Sequence, residues 1–403
     1  MAMTKTIKAL TFDSKEDGWE KSRGFVMRDV PMPVLDEKKY PEDALSVILK
    51  MRFAGVCGSD KGFWYRRAFK DMVLGSLAQE KKTLRITGHE FVGEVVEVGS
   101  MVKRLYHDPD EKNPVKIEKG SLVSGDSHVT CGRCYQCRIG EEHVCMNESI
   151  LGISTDGIFA EYVKIPAKNL WAVDLQRVRP EIAAIYDPFG NAVHATTKVD
   201  FRGQRVAIFG AGAVGMFSIL LLRRFGAAKI IAVDVNEANL KMAGELGAHE
   251  TVLIKKKKKA DEWTIDKEAV DKINELTYGK GADISMEMAG APASLNNCIH
   301  ATRRGGQVIA FGIRDGDTVI PNFSRMVVVR GLTIHGIIGR EIFKTWQIAQ
   351  RMLSDKTNGI QDAIWNIILK SGKGTVYDFK KFTPENTEEA MNKHPKIVFK
   401  ING

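Results

Sequence analysis

Four of the six cysteines fall within fifteen residues, as Cys131, Cys134, Cys137 and Cys145, in the run CGRCYQCRIGEEHVC. Thiolates at this spacing can converge on one tetrahedral zinc at about 2.3 Å, and a fourth cysteine that closes the shell makes the site structural. The binding energy of such a metal is folding energy, on the order of 10–16 kcal/mol apparent in small zinc peptides, so the lobe around it can be built from loops with little core. The rival is a disulfide pair. It is disfavoured because the N-terminal run MAMTKTIKALTF has no apolar stretch of secretory length.

At 403 residues with 44% hydrophobic content, the chain is too long for one ordinary core and apolar enough for two, so two domains are expected. No stretch approaches eighteen consecutive apolar residues, which excludes a membrane-spanning helix and predicts a soluble, cytoplasmic protein. The net charge of +9 raises the question of nucleic acid, and Lys255 to Lys259 is the one dense basic block. No aromatic residues interleave with it as a stacking platform would require, so a solvated loop and no nucleic-acid partner are expected. Attraction of an anionic substrate or cofactor stays open.

The chain's rhythm changes along its length. Residues 1 to about 185 read as short β-rich segments (LSVILKMRFAG, EFVGEVVEVG, FAEYVKIPA) broken by Gly, Pro and charge, predicting a barrel-like all-β lobe. From about 190, the apolar runs RVAIFG, KIIAVDV, DISMEMAG and GQVIAFGI alternate with helix-length segments, which predicts an α/β domain with a parallel sheet and crossover helices. After about 340 an amphipathic helix around WQIAQRML precedes a final strand-like KIVFKI, and this end can return to the first lobe.

Gly210, Gly212 and Gly215 form GAGAVG, with Val214 before the last glycine, directly after the strand RVAIF and at the start of a helix. That context marks a dinucleotide-binding turn: Gly210 for the tight bend, Gly212 for approach to a pyrophosphate, Gly215 for helix–strand packing. The helix N-terminus then faces the anion. Asp234 ends the next strand, where a carboxylate accepts from adenosine ribose hydroxyls and repels a 2′-phosphate, so NAD is favoured over NADP.

Cys57 in GVCGSD, His89 and Glu90 in ITGHEFVGEVVEVG, and Asp187 in DPFGNAVH remain. Singly, each has a bland alternative as a buried thiol, a satisfied histidine or a helix cap. Together they offer sulfur, nitrogen and carboxylate oxygen, the ligand mix of a catalytic zinc with an open position.

On CGSD, GHEFVGEVVEVG, CGRCYQCR with Cys145, DGIFAEYVKIPA, AAIYDPFGNAVH, GAGAVG, DVNE, MAGAP and GIIGREIFKTW, the chain resembles the zinc-dependent medium-chain alcohol dehydrogenases. DPFGNAVH and GREIFKTW are most similar to the L-threonine 3-dehydrogenase branch. The resemblance implies a GroES-like catalytic domain over 1–188 with a zinc lobe near 125–150, a doubly wound Rossmann domain over 189–338, and a return to the first domain over 339–403. It also implies a homotetramer, a catalytic zinc on Cys57, His89 and Glu90, and Asp187 as a fourth, often water-mediated, carboxylate. Phe311, Gly312, Ile313, Ile337 and Ile338 would line the nicotinamide end of bound NAD.

A metal cation can depress an alcohol's pKa much as it does that of bound water, from about 15.7 to about 7, which readies the carbinol for hydride transfer to the nicotinamide. In the family the proton passes to the hydroxyl two residues after the zinc cysteine, here Ser59. The family's relay histidine, five residues after that cysteine, is replaced by Gly62, which leaves Asp187, Lys61 or the cofactor ribose as candidate substitutes. Two further departures are the long segments Ser100 to Gly120 and Phe63 to Ile86, and in the second Arg66 or Arg67 can be expected to bind an anionic substrate group. Cys298, His194 and His335 read as packing residues. The leading expectation is oxidation of L-threonine to 2-amino-3-oxobutanoate. A polyol, inositol or sugar dehydrogenase is the alternative, and a non-catalytic dinucleotide-binding protein a more distant one.

Overall fold

The computed structural model describes residues 5–105, 117–255, 261–314 and 316–402. Most of the long segment Ser100 to Gly120, and Lys256 to Lys259 of the lysine run, therefore lie outside the described residues. The chain divides into two compact units, Met1–Pro188 with Glu341–Gly403, and Phe189–Arg340. Among the described residues no helix is long and apolar enough to cross a membrane.

The first unit is organised by Ser46–Val56, a strand so apolar that it can sit in the middle of a sheet. Antiparallel Glu90–Val98 lies on one side of it and Ile397–Lys400 on the other, and Tyr162–Pro166 also pairs with it. The seven-stranded sheet is completed by Leu122–Gly125, Leu170–Ala172 and Val376–Asp378. Because Ile397 is in register with Val56, the C-terminal strand is built into the sheet that carries Cys57. A separate three-stranded sheet joins Thr6–Asp13 to Val26–Pro31 and Leu84–Ile86.

The unit is not purely β. The long segment from Phe63 to Ile86 contains the helix Lys70–Gln79. That helix is tied down by Arg85, whose buried guanidinium meets Glu80 at 2.8 and 3.2 Å, Asp156 at 3.2 Å and Ser76 at 3.0 Å. A buried cation is stable only when its charge is met, and here Glu80 at the helix exit and Asp156 meet it, with Ser76 of the inserted helix taking a further donor and Nε left without a partner. Below it Phe12, Trp19, Phe25, Phe63 and Trp64 pack edge-on or stacked at centroid distances of 5.2–5.6 Å. The helices Lys344–Ser354 and Pro384–Lys393 also belong to this unit.

The second unit is a six-stranded parallel sheet in the order Glu250–Leu253, Lys229–Asp234, Arg205–Phe209, Ala282–Glu287, Thr302–Ala310, Thr333–Gly336. Numbered along the chain this is 3-2-1-4-5-6, the doubly wound order, whose switch point lies between Arg205–Phe209 and Ala282–Glu287. Parallel strands covered on both faces read as continuous apolar runs, and Val206 to Phe209 and Ile230 to Val233 are buried throughout. Asn236 and Asp266 cap the helices Glu237–Glu245 and Lys267–Leu276, each accepting from backbone amides in the first turn. Cys298 is fully buried in the helix Ser294–Ala301 beside Ile299, as a core thiol.

Candidate metal centre and dinucleotide loop

Cys57 stands where strand Ser46–Val56 gives way to helix Gly58–Trp64, and its N–H donates to Asp60 Oδ2 at 2.9 Å. His89 and Glu90 stand at the start of the neighbouring strand, with Glu90 opposite Gly55 in the register. The antiparallel pairing thus brings one end of each strand together. The Cys57 thiol, a His89 ring nitrogen and a Glu90 carboxylate oxygen all lie within 4.8 Å of one another.

The surroundings of these donors are dry and charged. His89 and Glu90 are buried. Burial disfavours the protonated imidazole, but the charges of Asp60 and Cys57 outweigh it and raise the His89 pKa well above its ordinary value. Asp60 Oδ1 is 3.4 Å from His89 Nδ1, and Ser59 Oγ is 3.2 Å from Nε2. Burial also raises the Glu90 pKa, against the pull of Lys396 and His89. Glu90 Oε2 is ion-paired with Lys396, whereas Oε1 has no hydrogen-bond partner. A buried carboxylate oxygen left bare is costly unless a cation meets it, so the donor set fits a divalent metal. A Cβ on Gly55 would stand 2.2 Å from Glu90 Oε2, so only glycine leaves room for this carboxylate.

Asp187 lies in the first turn of helix Tyr186–Thr197 and is buried, its Oδ2 accepting from the Ser127 N–H at 3.2 Å. Its charge raises the Glu90 pKa, yet it is not one of the three donors that converge within 4.8 Å. Lys396 was not legible as a site residue. The one trace in the sequence is a lysine just before the apolar run Ile397 to Phe399.

The second donor set is local. The sulfurs of Cys131, Cys134, Cys137 and Cys145 all lie within 4.8 Å of one another, in a lobe made of the short helix Tyr135–Arg138, a turn at Glu142–Val144 and the hairpin His128–Val129 with Ser149–Ile150. All six cysteines are free, and the Sγ–Sγ distances of 3.5 and 3.8 Å from Cys134 to Cys137 and Cys145 are far beyond a disulfide bond. Backbone amides converge on the sulfurs: Arg133 and Cys134 N–H on Cys131, and Cys131 and Asn147 N–H on Cys145, at 3.3–3.5 Å. These amides lower the Cys131 pKa to about 6, while burial and the neighbouring thiols push Cys137 up to about 12. Four thiols so close cannot all ionise alone, and a dication at their centre would remove the conflict.

In the parallel unit, Gly210 has φ 104°, and a Cβ there would meet the Ala289 backbone nitrogen at 2.9 Å. A Cβ on Gly215 would be 2.0 Å from the Gly210 carbonyl, while one on Gly212 meets nothing within 4 Å. The turn is therefore closed on the sheet side and open over Gly212, which caps helix Ala213–Arg224 with no side chain on its first amides and has Val214 in its first turn. Free amides at a helix start suit a pyrophosphate. Asp234 Oδ2 accepts from Ala211 N–H at 2.6 Å and Oδ1 from Asn236 N–H at 2.8 Å. Glu287, unforeseen in the sequence, gathers the Ala289 and Gly290 amides at 2.9 Å and the Gly312 amide at 3.0 Å, joining the loops after two neighbouring strands. Phe311, Gly312 and Ile313 follow strand Thr302–Ala310, and Ile337 and Ile338 follow Thr333–Gly336. Ile313 and Ile338 are exposed and Ile337 is buried.

Arg66 does not do what was expected of it. Its guanidinium is turned into the first unit, donating to the carbonyls of Phe63 at 2.7 Å and Gly24 at 2.8 Å and to Ser22 Oγ at 3.1 Å, over the Phe12 ring at 4.6 Å. Burial lowers its pKa to about 10, and its two terminal nitrogens are spent on the protein's own oxygens, while Nε has no partner. Arg67 is exposed and lies over the Tyr65 ring. Lys61 donates to the Met391 carbonyl at 3.1 Å. His194 Nδ1 is 3.1 Å from the Gly339 carbonyl, and His335 Nε2 is 2.9 Å from Gln307 Oε1, both packing contacts.

Two units, one with a sulfur–nitrogen–carboxylate set and the other with a parallel sheet ending in a glycine turn, define a class of dehydrogenase. Residues 43–175 match the alcohol dehydrogenase GroES-like domain, and residues 213–355 match the zinc-binding dehydrogenase domain. The chain is 35% identical to L-threonine 3-dehydrogenase from Legionella pneumophila over 340 residues, 84% of this chain and 88% of that one. It is 34% identical to L-threonine 3-dehydrogenase from Caldanaerobacter subterraneus subsp. tengcongensis over 331 residues, 82% and 86% of the two chains. A putative zinc-binding dehydrogenase from Clostridium scindens shares the fold, with a TM-score of 0.78 at 22% identity over 98% of this chain and 100% of that one. The chain belongs to the zinc-dependent medium-chain alcohol dehydrogenase family, close to the threonine dehydrogenases. It is an oxidoreductase acting on CH–OH groups.

Proposed function

We propose that this enzyme oxidises L-threonine to 2-amino-3-oxobutanoate with NAD, using a zinc held by Cys57, His89 and Glu90 and a second, structural zinc held by Cys131, Cys134, Cys137 and Cys145. The reading is carried by the convergence of three donors, the buried His89 and Glu90 and the half-buried Cys57, with Glu90 Oε1 left bare. It is supported for substrate by the L-threonine 3-dehydrogenases to which the chain is 34–35% identical. Bound there, zinc would lower the pKa of a substrate hydroxyl, so that its proton is lost readily and the carbon can release hydride.

The chain's own residues do the rest. Ser59 Oγ, next to His89, is the hydroxyl through which the substrate's proton leaves. Asp187, fixed by the Ser127 amide, adds negative charge beside Glu90 and takes the role of the fourth, water-mediated carboxylate in this reading. The amides at the start of helix Ala213–Arg224 take the pyrophosphate, and Asp234 takes the adenosine ribose hydroxyls and excludes a 2′-phosphate. Phe311, Gly312, Ile313, Ile337 and Ile338 form the apolar wall for the nicotinamide. A homotetramer in the cytoplasm completes the reading. Self-association is supported by the edge position of strand Thr333–Gly336 among the described strands and by the exposed Val328 and Val329 that precede it in the chain.

A second reading, a polyol, inositol or sugar dehydrogenase, is favoured by Gly62. A Cβ there would lie 3.1 Å from the Ala68 Cβ, so the inserted segment crowds the place of a relay imidazole. NADH formation with L-threonine beside a panel of polyols, inositols and aldoses decides between them. Saturable activity on L-threonine alone is expected, and preference for a polyol or sugar would overturn the substrate assignment. Asp234→Ala is expected to narrow the preference for NAD over NADP, and an unchanged ratio would remove Asp234 from the ribose site.

A further inference from the structure

Lysine is almost never fully buried without a strong reason, because its ammonium must find a full set of acceptors away from water. Lys396 is 2% exposed. It immediately precedes strand Ile397–Lys400, whose Ile397 pairs with Val56, so its side chain starts beside the strand end that leads into Cys57. There Nζ donates to the Val56 carbonyl at 2.9 Å and forms an ion pair with Glu90 Oε2. The Glu90 carboxylate is thereby divided. Oε2 is held by the ammonium in a space kept open by Gly55, and Oε1 is buried with no partner.

We propose that Lys396 is a positioning residue for the catalytic metal, holding one Glu90 oxygen back so that only the other is offered. The inference rests on the assignment of Cys57, His89 and Glu90 as zinc donors. With Lys396 in place, the ammonium offsets one of the negative charges that the thiolate and carboxylate donors bring, so the dication meets surroundings one unit less negative than it would without the lysine. That loosens the metal's hold and leaves more of its charge for the substrate oxygen, since like charges in a dry site are weakly screened. Without the ammonium both carboxylate oxygens are free for the metal. An ion pair that merely braced the last strand would leave the metal's electronic environment as it was.

The test compares Lys396→Met, Lys396→Arg and Glu90→Gln with the wild-type enzyme, each loaded with zinc and, separately, with cobalt. The rate of zinc loss to a chromogenic chelator and the visible bands of the cobalt form are measured. Lys396→Met is expected to slow loss of the catalytic zinc by about 10–100-fold, equal in size but opposite in sign to the loss of affinity that removing a ligand-orienting group usually causes, and to shift the cobalt bands. Lys396→Arg keeps the charge and restores both readouts toward wild type. In the Glu90→Gln background Lys396→Met should add nothing, because the carboxylate through which it acts is gone. Unchanged or faster zinc loss with unchanged cobalt bands would overturn the proposal. Should the Met variant fail to fold, Lys396→Gln, which keeps a polar head for the Val56 carbonyl, carries the same two outcomes. Wild-type enzyme that holds one zinc per chain, on the four cysteines alone, would instead overturn the donor assignment itself.

Discussion

The two donor sets solve opposite problems. The four cysteines lie on one short segment, partly exposed, with their sulfurs steadied by backbone amides of the same segment. Cys57, His89 and Glu90 come from two strands of the central sheet, and the lysine against Glu90 arrives from the far end of the chain, 306 residues away. A site that only has to hold a lobe together can be local and closed. A site that must keep a position open for substrate needs a scaffold rigid enough to hold donors that do not fill the shell, and the double-sided packing of Ser46–Val56 supplies it.

The sharpest break between the two sets is removal of one sulfur from each. Cys57→Ala is expected to lower kcat/KM by at least about 10³-fold, since a Lewis acid contributes several kcal/mol to the transition state. Fold and NAD binding should be unchanged, and metal analysis should fall from two zincs per chain to one. Circular dichroism and nucleotide titration check the first half; an unfolded Cys57→Ala protein would mean that the two roles are reversed.

Cys145→Ala should do the converse. The lobe around it has short elements and little apolar core, so losing one ligand should cost several kcal/mol of the roughly 10–16 kcal/mol such a metal supplies in small zinc peptides. Thermal unfolding at lower temperature and new proteolytic cuts between residues 125 and 150 are expected, with turnover per folded chain close to wild type early in the assay. Activity lost before any change in unfolding would break the division of labour.

Gly55→Ala is a smaller disturbance of the same comparison, because it touches the set of Cys57, His89 and Glu90 alone. The added methyl would stand 2.2 Å from Glu90 Oε2 and 3.1 Å from Ile185 Cγ2. Overpacking of this kind costs about 1–3 kcal/mol. The loss should appear in chemical denaturation together with weakened retention of the catalytic zinc, and the four-cysteine zinc should stay. Loss of both metals in parallel would show that the two sites are not independent.

Sequence reading separated these regions unevenly, for physical reasons. The parallel strands announce themselves because both faces are buried, and the GAGAVG turn because its backbone leaves room for no other residue at Gly210 and Gly215. The four-cysteine set is legible because all its donors are neighbours in sequence. The pairing that brings Glu90 opposite Gly55 is a matter of register between distant strands, and no local pattern reports it. Lys396 is hidden for the same reason. The segment after Ser59 misled in two ways. KDMVLGSLAQ buries only Val73 and Leu77 and carries a glycine in its middle, so its helical character is faint. Arg66 looked like an anion binder because, besides the nearby Phe63 carbonyl, the groups that claim it (the Phe12 and Trp19 rings, Ser22 Oγ and the Gly24 carbonyl) belong to residues more than forty positions earlier.

The finest test concerns how that inserted segment meets the helix that carries Ser59. Gly62 lies one turn beyond Ser59 on the same helix face. The chain then doubles back, with Arg67 N–H donating to the Gly62 carbonyl at 2.9 Å, and brings the Ala68 Cβ to 3.1 Å from where a Gly62 side chain would begin. Two opposing effects follow for Gly62→Ala. The helix gains about 1 kcal/mol from replacing glycine by alanine, and the crowding against Ala68 offsets a similar amount, so the single variant should be near neutral in stability. Ala68→Gly alone loses chain stiffness and a packing methyl. Combined, Gly62→Ala with Ala68→Gly should be more stable than the two single changes add up to, by about 0.5–1 kcal/mol, because the methyl has moved from one residue to the other across the same contact. Chemical denaturation of the four proteins gives that coupling directly. Strict additivity would mean that the segment does not press on Gly62. The absence of a side chain beside Ser59 would then have to be explained by the substrate rather than by the fold.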